Sequence, residues 1–238
     1  MSRFKNLHGQ IRIFAGMKRE IIITADGSKT IYLPDWNEHY HSSHGALQEA
    51  HHVFIKHGLT KCTEDYITIL EMGFGTGLNA FLTYFASEKR HQYVHYIGVE
   101  AFPPSEEEWK AMDYSQYAND PDAESVYEKM HQCDWGLPQE LSEHFVLEKR
   151  QKTIQEMSMS AGSVDLIYYD AFGPRVQPEL WSLEVFQKMF DWLSPGGVFV
   201  TYCAKGQVKR DLKSAGFLVE SLAGPPGKRE MTRAIKPA

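Results

Sequence analysis

Cysteine is scarce. The 238 residues hold three, Cys62, Cys133 and Cys203, far apart and outside any C-x-x-C pair. This gives neither a disulfide framework nor a thiolate zinc site, and makes reduced cytosol the expected compartment. No run approaches the roughly 18 consecutive apolar residues of a membrane span, and Met1-Ser-Arg-Phe-Lys-Asn6 lacks the apolar core of a secretory signal. Internal repeats and low-complexity tracts are absent. So is net positive charge: the formal charge is −6, which argues against a nonspecific nucleic-acid binder. The deficit is uneven. From Pro195 onward, eight Lys/Arg oppose three acids, a local balance of +5 that leaves −11 for the rest. A basic end on an acidic body suits a polyanion or simply solvates a surface. There is also no H-E-x-x-H. Six of the eleven histidines fall between positions 39 and 57, but His51 and His52 point different ways on a helix, so no metal is expected.

What is present is a packed-domain composition, 42% hydrophobic and 13% aromatic, in a chain long enough for one α/β domain with a modest addition. Its most informative stretch is Ile67-Thr-Ile-Leu-Glu71-Met-Gly73-Phe74-Gly75-Thr76-Gly77-Leu78-Asn79. An apolar β-branched run, a glycine turn and a helix start describe a ligand site at the carboxyl end of a strand. A dinucleotide fingerprint would need a third glycine at position 78, where Leu78 stands. Glu71, two residues before the first glycine, suits a sulfonium or an α-ammonium better than a pyrophosphate. The alternative is a purely structural glycine turn. The E-x-G-x-G-x-G pattern resembles motif I of the Rossmann-like S-adenosylmethionine (AdoMet) methyltransferases, which implies cofactor contacts by Glu71, Gly73, Phe74, Gly75, Thr76, Gly77 and Asn79.

The rest of the chain follows an α/β order. Glu20–Thr24 and Thr30–Leu33 read as a hairpin around an Asp-Gly turn. A polar and aromatic stretch from Pro34 leads to a helix over about 44–57, ended by Gly58. Tyr93–Glu100 is a second strand whose terminal Glu100 can accept hydrogen bonds from a ribose diol. Ser105 and Glu108 form a capping box. Positions 119–142 show few periodic signals, and Cys133–Pro138 reads as a loop or short helices. Phe145–Glu148 and Ser163–Asp170 are strands. A helix carrying Trp181, Val185, Phe186, Met189 and Leu193 runs to the Ser194-Pro-Gly-Gly197 turn. A strand at Val198–Cys203, a helix over 206–215, and an antiparallel pair at 217–221 and 231–235 complete the chain. The expected fold is a doubly wound α/β sheet with a terminal antiparallel hairpin, the variation seen in class I AdoMet-dependent methyltransferases. The expected division is an N-terminal hairpin-and-helix extension over 1–60 and a transferase domain over 61–238.

Asp170, at a strand end, can orient an acceptor amine or take its proton, and Phe172 and Pro174 can pack a planar base; a helix-turn cap is the structural alternative. Asp170-Ala-Phe-Gly-Pro-Arg-Val-Gln-Pro-Glu-Leu-Trp181 and Lys228-Arg-Glu-Met231 are similar to signatures of the methyltransferase half of the bifunctional tRNA 5-methylaminomethyl-2-thiouridine biosynthesis enzymes (MnmC). Val99-Glu-Ala-Phe-Pro103, Ser194–Gly197, Ala215-Gly-Phe217 and the segment 35–59, with Tyr40, Ser42, Gly45 and Glu49, also match. The resemblance implies AdoMet as cofactor and N-methylation of a 5-aminomethyl group on a tRNA wobble uridine. It implies Asp170 and Tyr40 as catalytic residues, and an anticodon stem-loop held by Phe172, Pro174, Lys209, Arg210, Lys228 and Arg229. Where the family pattern calls for an acid at the adenine, this chain reads Lys149-Arg-Gln-Lys-Thr153, so Gln151 or a backbone group is expected to serve. The short stretch after Met231 reads as a stand-alone transferase, with an oxidase or other wobble-modifying enzymes as separate chains, in the cytoplasm and without metal or membrane. Rival readings are an aminopropyltransferase, which shares an acid–Gly-Pro stretch, and a non-catalytic tRNA- or protein-binding module.

Overall fold

β4 (Tyr66–Met72) is the axis of the molecule, and its apolar run is buried on both faces by flanking layers. The computed structural model describes residues 16–238; Met1–Asn6, where a secretory core would be sought, lies outside them. β4 pairs in parallel with β5 (Tyr93–Val99) on one side and β8 (Val164–Tyr169) on the other. Beyond β5 come β7 (Phe145–Arg150) and the antiparallel edge strand β6 (Pro138–Ser142). Beyond β8 come β9 (Leu193–Thr201), then β11 (Glu230–Ile235) and β10 (Leu218–Ala223), both antiparallel to their neighbours. The chain therefore leaves β4 in opposite directions before and after β7, and a crevice opens at the carboxyl ends of β4, β5 and β8. This is the expected doubly wound sheet with its terminal hairpin.

A smaller sheet, β1 (Glu20–Ile23), β2 (Lys29–Leu33) and β3 (Glu38–His39), precedes it. The expected hairpin thus gains a third strand, because Tyr40 N–H donates to the Ile31 carbonyl and turns the chain back along β2. The expected helix over 44–57 is α1 (Ala46–Ala50) followed by a π-helical turn, His51–Lys56. Ile31, Leu33, Ala46, Ala50, Val53 and Phe54 share one buried cluster with Ile67, Phe81 and Tyr168. One core thus runs across the division expected at residue 60.

α2 (Leu78–Arg90) follows the glycine turn. α3 (Glu106–Met112) starts with the predicted box: Ser105 Oγ accepts from Glu108 N–H and Glu108 Oε2 accepts from Ser105 N–H. The stretch 119–142 holds more regular structure than its few periodic signals suggest. It contains α4 (Ala123–Gln132), which buries Ala123, Val126, Tyr127 and Met130 at helical spacing, and β6, which is largely exposed and is held by backbone pairing, by partial packing of Leu141 and by the Ser142 hydroxyl on Glu88. The Glu, Lys and Gln residues between those positions mask the helical stripe, and a strand without a buried face leaves no alternation to read. α5 (Leu183–Trp192) is shorter than predicted: Trp181 ends a separate 3₁₀ turn and Leu193 already opens β9, with Ser194–Gly197 inside that strand. α6 (Gly206–Ser214) packs with α5 on the second face of the sheet. Among the described residues no helix is long and apolar enough to cross a membrane. All three cysteines are free.

Phe74, inside the glycine turn, is buried against Gly98 of β5. A Cβ at Gly98 would lie 2.4 Å from Phe74 Cδ2, so the ring occupies the space that glycine leaves open. Gly98→Ala is expected to lower stability by about 1–3 kcal/mol through overpacking, read as a lower urea midpoint with an unchanged slope.

Candidate active site

The crevice at the switch point is enclosed into a cavity of about 530 Å³. Its floor is Met72, Gly73, Gly75, Val99, Glu100, Asp170 and Ala171 at the strand ends; residues 36–50 form one wall, and Tyr202 and Lys228 another. Glu38, Glu49, Glu100, Asp170 and Glu179 line it against Lys152 and Lys228, so the lining is acidic.

At its base one amide holds two carboxylates. Asn79, in the first turn of α2, donates from Nδ2 to Glu71 Oε1 and to Asp170 Oδ2, both at 2.8 Å. Glu71 is fully buried and is not part of the lining. Its burial raises its proton affinity well above the usual carboxylate range, with Asn79 opposing. The expectation that Glu71 itself faces a ligand therefore changes: the acid sits behind Asn79 and acts through it. Asp170 does line the cavity. Burial and then the Glu49 carboxylate push it up to about 7, against the Asn79 amide and the Lys228 ammonium.

Glu100 lies where the sequence places it. Its Oε2 accepts from Gly75 N–H at 3.0 Å and its Oε1 from Phe102 N–H at 2.8 Å. The carboxylate is fixed in orientation, with a further lone pair on each oxygen. Burial raises its proton affinity and those two N–H groups oppose it. Of the glycine turn, only Gly73, Gly75 and Asn79 reach the lining. Phe74 packs inward, Thr76 Oγ1 meets Tyr114 Oη at 3.1 Å, and Gly77 begins α2 with φ +74°. These three shape the turn.

Tyr40 and Phe172 meet edge-on at 5.1 Å, and Trp36 meets Phe172 at 5.6 Å, forming an aromatic wall. Burial raises the Tyr40 phenol well above its usual value, so it stays protonated at neutral pH. Pro174 is outside the lining. Gln151 is exposed and also outside it, whereas Lys152, Thr153, Ile154 and Gln155 belong to it. Lys209 is engaged by Ser221 Oγ and Glu230 Oε2, and Arg210 by Gln207 Oε1. Arg229 is exposed, while Lys228 points into the cavity and pairs with Glu49. His39, His41 and His44 line the mouth, and burial pulls His41 down to about 4. Among the described residues no cluster could hold a metal ion.

Glu49 and Tyr202 have no assigned role in the sequence reading. The available signal for Glu49 was an acid among Ala46, Ala50 and Val53, on the apolar face of a predicted helix.

Comparison with known proteins bears on this geometry. The family model described as S-adenosyl-L-methionine-dependent methyltransferase matches residues 124–237. The tRNA 5-methylaminomethyl-2-thiouridine biosynthesis bifunctional protein MnmC of Cupriavidus necator is 31% identical over 229 residues, covering 90% of this chain and 34% of the relative. The crystal structure of MNMC2 from Aquifex aeolicus superposes with a TM-score of 0.70 at 27% identity, over 92% of this chain and 70% of that one. This chain resembles the S-adenosyl-L-methionine-dependent methyltransferases. A probable spermidine synthase from Corynebacterium glutamicum, 14% identical with a TM-score of 0.50 over 92% of this chain and 76% of that one, shares the fold alone. The chain spans about a third of the length of the curated relatives it matches.

The residues present fit AdoMet. Gly73 (φ +93°) and Gly75 (φ +50°) bring bare backbone to the cavity, and a Cβ at Gly73 would lie 2.6 Å from the Asp170 carbonyl oxygen. Asn79 Oδ1 is a buried acceptor with no partner, suited to an α-ammonium donor. Glu100 could hold the ribose diol, and residues 152–155, which also line the cavity, would be available to the adenine. Glu100→Gln removes the charge and sets an amide N–H₂ against one of the two backbone donors. AdoMet affinity is expected to fall about tenfold or more; calorimetry showing unchanged affinity in a folded variant would remove Glu100 from the ribose role.

Proposed function

We propose that this protein N-methylates the 5-aminomethyl group of a wobble uridine in tRNA, with or without a 2-thio group. The observation that carries this reading is Asp170, a cavity-lining carboxylate held at a strand end by Asn79 and raised to about 7. When bound, AdoMet supplies an electrophilic methyl group whose sulfur leaves as a neutral thioether. The protein has to present a nitrogen lone pair in line with that carbon and exclude water. An alkylamine has an unperturbed pKa of roughly 10, so it arrives mostly as ammonium. An acidic cavity attracts that cation, and an ionised Asp170 can accept its proton and pass it to solvent.

The aromatic wall of Trp36, Tyr40 and Phe172 offers rings against which a pyrimidine can pack. Tyr40 enters this proposal as part of that wall, with Phe172 beside it; Pro174, outside the lining, has no direct part. The relatives' names carry the tRNA and the aminomethyl chemistry, and the basic chain end provides a matching surface for phosphate: Arg210 and Arg229 are exposed there. Lys209 has a smaller part, since Glu230 already neutralises it. Enzymes that generate the aminomethyl group act as separate chains in this scheme.

The direct test is nucleoside mass analysis of undermodified tRNA after incubation with the protein and AdoMet; absence of a methylaminomethyl product refutes the reading. Asp170→Asn keeps the shape and loses the charge. AdoMet binding should survive within a few-fold, while the single-turnover rate falls at least about 100-fold, the lower end of general-base contributions. A near-normal rate in a folded variant would leave Asp170 a structural cap. Charge reversal at Arg210 and Arg229 should flatten the salt dependence of tRNA binding by roughly 0.7–0.9 in log–log slope per lost phosphate contact. An unchanged slope would put the RNA elsewhere.

A further inference from the structure

The cavity holds a second carboxylate that the transfer chemistry does not use. Glu49, 7% exposed on α1, accepts from Ser42 N–H at 3.0 Å through Oε2 and pairs with Lys228 Nζ through Oε1. Lys228 arrives from the turn between β10 and β11, and its ammonium lies 4.3 Å over the Tyr202 ring. Tyr202 in turn donates its hydroxyl to the Ala171 carbonyl at 2.8 Å, one residue from Asp170. The turn that delivers Lys228 is closely fitted: Gly227 has φ +83°, and a Cβ there would lie 2.5 Å from His44 Cδ2. Lys228 is therefore set into the cavity wall, unlike the exposed Arg229 next to it.

We propose that Glu49 and Lys228 are a positioning pair that acts through Asp170, setting from opposite signs the pH at which Asp170 can take the acceptor's proton. The inference rests on the methyl-transfer reading above. All three side chains line one cavity, largely shielded from bulk water, where charges are felt strongly. Alone, Glu49 would keep Asp170 protonated and would hold an acceptor as ammonium between two anions. Alone, Lys228 would turn to Asp170 and quench its basicity. Paired, each cancels most of the other, and Asp170 is left available near neutrality. The other groups facing Asp170 are the Asn79 amide from α2, Glu71 of β4 behind it, Tyr96 of β5 and the Tyr202 hydroxyl after β9. None of these brings a cation, so Lys228 is the positive charge in this group.

The test reads Asp170 in the protein without cofactor or tRNA. Because folding raises its proton affinity above the usual carboxylate value, its ionisation costs stability as pH rises from about 4 to its folded value, and the cost is complete above that. Urea unfolding of each protein against its own Asp170→Asn counterpart, from about pH 4 to 9, locates that upper break. The break is expected near 7 in the parent protein. It should lie at least about half a unit lower in Glu49→Gln, at least about half a unit higher in Lys228→Met, and between the two in the double variant. The double variant leaves no unpaired buried charge and keeps the comparison informative if Lys228→Met folds poorly: the break in Glu49→Gln must still lie below it. Any other order overturns the proposal. A parent protein inactive on aminomethyl-uridine tRNA overturns the reading on which it rests, whatever the titrations show.

Discussion

One amide shared by two carboxylates sets the geometry of this site. Asn79 links Glu71 of β4 to Asp170 at the end of β8, so the first turn of α2 is tied to both central strands at the switch point. Two anions this close and this buried would repel, and each alone would carry a large desolvation cost. The arrangement holds because Glu71 is driven toward its neutral form and Asp170 is raised only as far as neutrality. The tie also explains the glycine turn. Asp170 N–H donates to the Met72 carbonyl, and the Asp170 carbonyl lies where a Cβ of residue 73 would be, so the two strand ends approach too closely for a side chain at Gly73.

The uneven charge of the sequence has a spatial counterpart. The acidic body concentrates carboxylates inside the cavity, where they suit a sulfonium, an α-ammonium and an amine acceptor. The basic end contributes the hairpin and α6, with Arg210 and Arg229 at the surface. It also sends one cation, Lys228, inward. A count of charges in that segment cannot separate these uses, because Lys228 and Arg229 are adjacent in sequence and opposite in exposure.

The parts legible in the sequence were those whose signal is local. The capping box of Ser105 and Glu108 is a four-residue pattern, and Glu100 ends a strand whose apolar run is explicit. The glycine turn located the switch point for the same reason. What could not be read depended on distant partners. Glu49 and Lys228 are 179 residues apart and meet only because the terminal hairpin folds back against α1. Burial of Glu71 behind Asn79 follows from packing depth rather than spacing. β6 left no signal because neither of its faces is buried, and α4 because its charged residues dilute its stripe.

These cases share a division of labour within the cavity. The parallel strands and the glycine turn build the half that fits the cofactor, and any doubly wound sheet with this turn could supply it. The other half comes from additions to that sheet: Trp36 and Tyr40 from around the small N-terminal sheet, Glu49 from α1, and Lys228 from the hairpin turn. Tyr40 also abuts the glycine turn, since a Cβ at Gly75 would lie 3.3 Å from its Cδ1. The N-terminal segment is thus a wall of the cavity, joined to the rest of the chain by one core and by the ion pairs Arg19–Glu108, Glu38–Arg175 and Glu49–Lys228. The fold therefore accounts for binding AdoMet, and acceptor choice rests with residues that the fold alone does not require.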